Sequence, residues 1–213
     1  MTIIKRSDIV PLLFMGGTGG HFLSAFLYHA IEGDNYWQFG KYGNAHHSRK
    51  ENPGFSKGVS YPAINHITSL LKLPVFGKIR YIRSHCSDPS LALLHFDKVI
   101  KTYYETKDVP EISLVFLAKW GLDEGNLNID ELKNRHISQR STYFEFPELG
   151  NYYESENLLN ISWQELMHND PITLINKLSQ FTNLSVDRFP LDKLLTWREL
   201  TMGGVNECQT LIS

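Results

Sequence analysis

The sequence predicts an α/β fold, a three-layer sandwich with a central parallel sheet of four to five strands and helices on both faces. Three observations predict it. Apolar runs of strand length alternate with segments of helical spacing, the pattern of parallel strands joined by helical crossovers. The first run, Ile9 to Met15, is apolar without alternation, as a central strand buried on both faces must be. Four glycines and an amphipathic segment follow it at once, giving strand, turn and helix in succession. The 213 residues suit one domain spanning 1–213, large enough for a sizeable core.

Each element can be justified in order. Ile9 to Met15 is strand one. Phe22, Ala25, Phe26 and Ala30 fall at helical spacing in a helix ending near Gly33. Gly33 to Tyr61 is rich in Gly, Asn, His and aromatics without periodicity and reads as a long loop. Ile64 to Leu71 is a short helix. Lys78 to Ser84 is strand two, and His85 follows its last residue. Asp88-Pro89 opens a helix to about Leu94, and Asp97 to Thr102 is strand three. Asp108-Val109-Pro110-Glu111 is a helix start, with Asp as N-cap and Pro in the first turn, for a helix running to about Trp120. The segment 130–145 mixes helical spacing with polar residues. Asn157 to Ser162 is strand four. Asp170-Pro171 starts a helix with Leu174, Ile175, Leu178 and Phe181 on one face. Leu191 to Leu200 is a further short helix, and the tail from Gly203-Gly204 is placed to cap a ligand.

Charge and cysteine content narrow the function classes. A net charge of −2 argues against a generic nucleic-acid binder. Two cysteines, Cys86 and Cys208, provide neither a disulfide framework nor a metal site. His46 and His47 have no Cys or carboxylate at ligand spacing, so no metal is expected. No apolar run reaches about 18 residues and no cleavable signal pattern precedes the glycines, so no membrane span and a cytoplasmic location are expected.

The glycine stretch carries the strongest chemical signal. Gly16, Gly17, Gly19 and Gly20, with Thr18 among them, stand between a strand and a helix. That layout surrounds an anion with backbone N–H groups, and a side chain in the turn would block close approach of a phosphate. Thr18 adds a hydroxyl, and His21 and Phe22 open the helix. The competing reading is a tight turn without a ligand. The Walker pattern needs a Lys after the last glycine, where this chain has His21, and G-x-G-x-x-G would place Phe22 at its last glycine.

Four segments, in order, resemble the sulfotransferase family, which transfers a sulfuryl group from 3′-phosphoadenosine-5′-phosphosulfate. Gly16-Gly17-Thr18-Gly19-Gly20-His21-Phe22-Leu23 stands where the family has P-K-S-G-T-T-W-L, which holds the 5′-phosphosulfate. Ile82-Arg83-Ser84-His85 is similar to the family's I-K-T-H, whose His is the catalytic base. Lys98-Val99-Ile100 with Thr106-Lys107-Asp108-Val109 resembles K-V-V-Y-V-x-R-N-P-K-D-V, which binds the 3′-phosphate. Ile161-Ser162-Trp163-Gln164-Glu165-Leu166 and Trp197-Arg198-Glu199-Leu200 resemble the Y-E-D-L and F-K-E-M segments near the adenine. The chain is short for the family, Gly17 stands at its loop lysine and Tyr104 at its 3′-phosphate arginine.

The resemblance implies a P-loop nucleoside triphosphate hydrolase-like fold and 3′-phosphoadenosine-5′-phosphosulfate as co-substrate, with no metal. It implies His85 as general base for an acceptor hydroxyl or amine; a histidine capping a strand end is the competing reading. Arg83, two residues earlier on the same strand face, would neutralise the phosphosulfate in place of the loop lysine. Lys107 and Ser113 are candidates for the 3′-phosphate, and Trp163 and Trp197 for the adenine, against surface and core roles respectively. The acceptor, a small molecule or carbohydrate, would meet loops 33–61 and 126–153. Two other classes stay open: a non-catalytic nucleotide-binding protein on the same scaffold, and a nucleotide-sugar glycosyltransferase-like module, whose glycine string begins alike.

Overall fold

The computed structural model describes residues 7, 9–14, 17–32, 39–45, 80–84, 89–123, 125, 128, 130, 131, 134–137 and 153–213. Among them four strands form one parallel sheet: β1 (Ile9–Leu13), β2 (Arg80–Ser84), β3 (Val99–Tyr103) and β4 (Leu158–Ser162), in the order β2-β1-β3-β4. All three pairings are parallel. The α/β class and the parallel sheet are therefore as the sequence predicts, and each strand lies within two residues of its expected bounds.

Helix α1 (Gly20–Glu32) follows β1, and α2 (Pro89–His95) joins β2 to β3. A short 3₁₀ turn, Thr106–Asp108, leads into α3 (Val109–Phe116). Its last turns, Leu117–Asp123, widen into a π-helical segment. Helix α4 (Trp163–Met167) starts directly from β4, then come α5 (Pro171–Thr182) and α6 (Leu191–Ile212). Of the expected elements, the helix at 64–71 lies outside the described residues.

Alternation along the strands sorts the core into two layers. Val10, Leu12 and Phe14, with Ile100, Leu159 and Ile161, join one cluster with Phe22 and Phe26 of α1, Ile112 and Val115 of α3, and Trp197 of α6. Leu13, Val99 and Leu158, on the alternate positions, are buried outside that cluster, as are Ala92 of α2 and Phe96 just beyond it. Helix α2 packs against β3. Strand β1 is thus buried on both faces, which explains why it lacks polar alternation.

The helix starts differ in how they are closed. Asp170 caps α5 as expected, its Oδ2 accepting from the Thr173 N–H at 2.8 Å. Ser162 and Glu165 form a reciprocal box at α4: Ser162 Oγ accepts from the Glu165 N–H at 3.0 Å, and Glu165 Oε2 accepts from the Ser162 N–H at 2.7 Å. Asp108 does not cap α3 with its side chain. Its Oδ2 accepts from the Glu105 N–H at 2.8 Å and its Oδ1 from Gln164 Nε2 at 2.6 Å, so it ties the entry of α3 to α4.

The C-terminal expectation is corrected. Leu191 begins a 22-residue helix, and Gly203 and Gly204 lie inside it rather than in a ligand-capping tail. The reason is packing. A Cβ on Gly204 would lie 2.7 Å from Tyr42 Cβ and 2.9 Å from Ala118 Cβ, so only glycine lets α6 approach both neighbours.

Candidate anion site at the glycine loop

The site is built from the carboxyl edge of β1 upward. The register aligns Ser84 of β2, Leu13 of β1, Lys101 of β3 and Asn160 of β4 in one row across the sheet. Beyond this row the chain leaves β1 into the glycine loop. From β1 it steps to β2 on one side, then crosses over to β3 on the other, so the strand order reverses between β1 and β3. The crevice outside the carboxyl ends at such a switch point is where open parallel sheets bind ligands. The sequence placed the crevice between strands one and two; the topology moves it to β1 and β3.

A hydrogen bond spans this gap, between Thr18 Oγ1 and Thr102 Oγ1 at 2.9 Å. Both threonines are buried. The Thr18 hydroxyl thus holds the loop to β3 instead of projecting toward a ligand. Gly17 and Gly19 have φ of 86° and 75°, in the left-handed region that favours glycine. The Gly19 carbonyl accepts from the Leu23 N–H at 2.9 Å and so starts α1. A helix supplies no carbonyl for the N–H groups of its first turn; in α1 that turn begins with Gly20, His21 and Phe22, at the edge of the switch point. No acidic residue lies in this turn to oppose an anion.

Packing gives two of the glycines a second reason to be there. A Cβ on Gly20 would lie 2.0 Å from Phe14 Cγ, and one on Gly19 would lie 2.6 Å from Leu166 Cδ2 and 2.9 Å from Trp197 Cη2. The loop is pressed against the protein on that side. His21 stands edge-on to the Phe14 ring at 5.3 Å between centroids. Phe22 is buried, stacked on Trp197 with centroids 4.2 Å apart and planes 8° apart.

Other sequence candidates fall elsewhere. Trp197 is fully buried, and besides Phe22 it has the Lys119 ammonium 4.7 Å from its ring centroid. Trp163 is also buried, its Nε1 donating to Glu111 Oε1 at 2.7 Å; the same oxygen lies 2.8 Å from His168 Nε2. Both indoles are core residues as packed, and neither offers an open face to a base. Ser113 is fully buried inside α3, where its Oγ donates to the Pro110 carbonyl at 3.0 Å. His136 Nδ1 lies 2.9 Å from the same Oγ. The Ser113 hydroxyl is thus engaged within its own helix and with His136. Lys107 is exposed and paired with Glu105 at 2.6 Å, a hydrogen bond that holds its ammonium above its ordinary value. Arg83 is placed by its backbone alone, in register with Leu12. Gly16 and His85 lie outside the described residues, as do His46 and His47.

Arg198, from the last family-like segment, closes the end of α4. It donates to the carbonyls of Leu166, Asn169 and Glu165, each at 2.8 Å. Sequence reading missed Lys119 and Thr102. Lys119 had a signal, a lone cation within the apolar run from Leu114 to Trp120; Thr102 had none, because its role depends on which strand lies beside β1. Among the described residues no group of three or more His, Cys, Asp or Glu is placed to hold a metal, and no helix is long and apolar enough to cross a membrane.

No family model and no curated protein matches the chain. Among solved structures, one crystal structure aligns with 98% of this chain and 96% of its own, at 14% identity and a TM-score of 0.43. That neighbour is a sulfotransferase. It comes from Alicyclobacillus acidocaldarius, and the likeness to it is distant.

Proposed function

We propose that the chain is a sulfotransferase-like transferase, moving a sulfuryl group from 3′-phosphoadenosine-5′-phosphosulfate to an acceptor hydroxyl or amine. The observation that carries the reading is the position of the glycine loop. It leaves β1 at the switch point of the sheet and runs into the first turn of α1, where backbone N–H groups and the helix dipole both favour an anion. The 5′-phosphosulfate would lie along residues 16–22. The strand that pairs with β1 on its other side leads into His85, the candidate base, and carries Arg83 one residue before its end. Lys107 is the remaining candidate for the 3′-phosphate, since Ser113 is used within α3. Adenine needs a surface other than Trp163 and Trp197.

Transfer requires a base on the acceptor side and donors on the leaving side. The loop and α1 supply the second, and His85 would supply the first. The chemistry of the donor calls for no metal. Calorimetry with 3′-phosphoadenosine 5′-phosphate, the product half of the donor, tests the reading: saturable binding that sulfate competes away is expected, and no heat at any concentration would sink it. A non-catalytic nucleotide-binding protein on the same scaffold is the second reading, favoured by the absence of Lys or Arg from residues 16–20. Binding without sulfuryl turnover would select it.

A further inference from the structure

Lys101 and Asn160 stand on the sheet face that turns away from α1. They are partners in the β3–β4 register, and side chains alternate along a strand, so both share that face with Val99 and Leu158 two residues earlier. The register also sets them in one row with Leu13 and Ser84, toward the carboxyl edge where parallel sheets meet their ligands. Lys101 is 1% exposed and Asn160 6%. A lysine buried to this degree is rare, and neither side chain is needed to close a sheet whose strands pair through their backbones.

Tyr153 covers both. The Leu158 N–H donates to the Ser155 carbonyl at 3.1 Å, a turn that brings the chain ahead of β4 back toward Asn160. Asn160 Nδ2 donates to the Tyr153 carbonyl at 2.5 Å, and Lys101 Nζ lies 4.3 Å from the centroid of the Tyr153 ring. Tyr153 itself is half-buried. This fit is incomplete at one atom. Asn160 Oδ1 is buried with no hydrogen-bond partner among the described residues, and a backbone carbonyl has no proton to give it. An ammonium also gains more from an oxygen acceptor than from the face of a ring.

We propose that Tyr153 stands in for a ligand with several hydroxyl groups, a sugar or related polyol, which Lys101 and Asn160 hold when the Tyr153 segment lifts. Hydroxyl groups can accept from Asn160 Nδ2 and donate to its Oδ1, and a further one can accept from Lys101. A carboxylate or phosphate suits the lysine alone, because Oδ1 is itself an acceptor. The ligand differs from Tyr153 in satisfying Oδ1, and that difference is what shifts the segment. The site lies on the other face of the sheet from α1 and the Thr18–Thr102 bond, so it stands whether or not the glycine loop takes an anion.

Glucose, galactose and mannose are the probes, with cyclohexanol as a ring bearing one hydroxyl and sulfate as an anion. Binding to the parent, Tyr153→Ala and the double variant Tyr153→Ala with Asn160→Leu is measured by saturation-transfer NMR. In parallel, acetylation of Lys101 by an N-hydroxysuccinimide ester is read by peptide mass spectrometry, which needs no second variant to fold. Tyr153→Ala should bind at least one of the sugars roughly ten-fold or more tightly than the parent, because the competing cover is gone. The double variant should lose that binding. Lys101 should resist acetylation in the parent, react in Tyr153→Ala, and be protected there by the bound sugar but not by cyclohexanol. Four results would each overturn the proposal: no sugar binding or protection in Tyr153→Ala, equal sugar affinity in the parent and Tyr153→Ala, sugar binding that survives Asn160→Leu, or protection of Lys101 by sulfate in place of sugar.

Discussion

Thr18 Oγ1 lies 2.9 Å from Thr102 Oγ1, joining the loop after β1 to the next-to-last residue of β3 across the place where the strand order reverses. A crevice at a switch point opens because successive connections leave in opposite directions. One side-chain bond between its two walls therefore sets how the loop sits over β3. It also means that the hydroxyl nearest the candidate anion is already engaged with protein. What the loop presents outward is backbone, which suits recognition of an anion by charge and shape.

Thr102→Val should destabilise the protein by about 1–2 kcal/mol, because it keeps the shape of the side chain but takes away the partner of a buried hydroxyl. The double variant Thr18→Val with Thr102→Val should recover part of the loss. Chemical denaturation of the parent, both single variants (Thr18→Val and Thr102→Val) and the double measures the coupling. Strictly additive losses would show that the two hydroxyls do not act as a pair.

Gly20→Ala should cost roughly 2–3 kcal/mol, since the new methyl would lie 2.0 Å from Phe14 Cγ and ring and helix cannot both yield in a packed core. Gly203→Ala is the control. Its Cβ would meet nothing within 4 Å, and Ala favours the helix interior. Thermal melts should show a large drop for the first and a neutral or raised midpoint for the second. Equal midpoints would remove the packing account of the loop.

The elements that local pattern governs could be read in advance. Strands β1 to β4 follow from their apolar runs, and the start of α5 follows from Asp170-Pro171. What depended on distant neighbours could not. Gly203-Gly204 reads as a helix end, and only the approach of Tyr42 and Ala118 explains glycine inside α6. Asp108 reads as an N-cap, and Gln164, 56 positions away, recruits its carboxylate. Trp197 in sequence is equally a core residue and a stacking surface; Phe22 and Lys119 decide between them. The glycine loop was found because its composition is rare. The Lys119–Trp197 contact was not, because nothing local says that these two residues meet.

Lys119→Met should raise stability, and the gain should depend on pH. The folded-state ammonium titrates near 7 and the unfolded one near 10.5, so the unfolded chain holds more protons between these values and the parent gains stability as pH rises through them. The charged residue is most costly below pH 7. The full shift corresponds to at most about 5 kcal/mol at 1.36 kcal/mol per unit. Lys119 is only partly shielded by residue, so solvent screening should leave about 2 kcal/mol. The advantage of Lys119→Met should be of that size at pH 6 and shrink toward zero by about pH 10.5. Urea denaturation at pH 6, 8 and 10 checks it. An advantage that grows with pH would reverse the sign and show that Lys119 is stabilised as a cation.

The last prediction concerns the residue that follows β2. The register puts Ser84 beside Leu13, so the final paired residue of β2 and that of β1 lie level at the carboxyl edge of the sheet. His85 is the next residue in the chain after Ser84, as the glycine loop follows β1 by two residues. If the anion at the loop is a donor phosphosulfate, an acceptor must approach from the side away from α1, and its proton must leave as the O–S bond forms. Imidazole suits that task, because its ordinary value of about 6.5 lies near working pH. Removal of a positioned base costs about 10²–10⁴-fold in rate. His85→Ala should lower sulfuryl turnover by that order while leaving affinity for 3′-phosphoadenosine 5′-phosphate nearly unchanged. Arg83→Ala should do the opposite in part, weakening nucleotide affinity along with turnover, because a guanidinium beside the phosphosulfate acts on binding as well as on transfer. The readouts are steady-state rates with labelled donor and calorimetry with the product nucleotide. Parental turnover in His85→Ala would assign the base to another residue and leave the loop as the only part of the site that the sequence and the fold identify together.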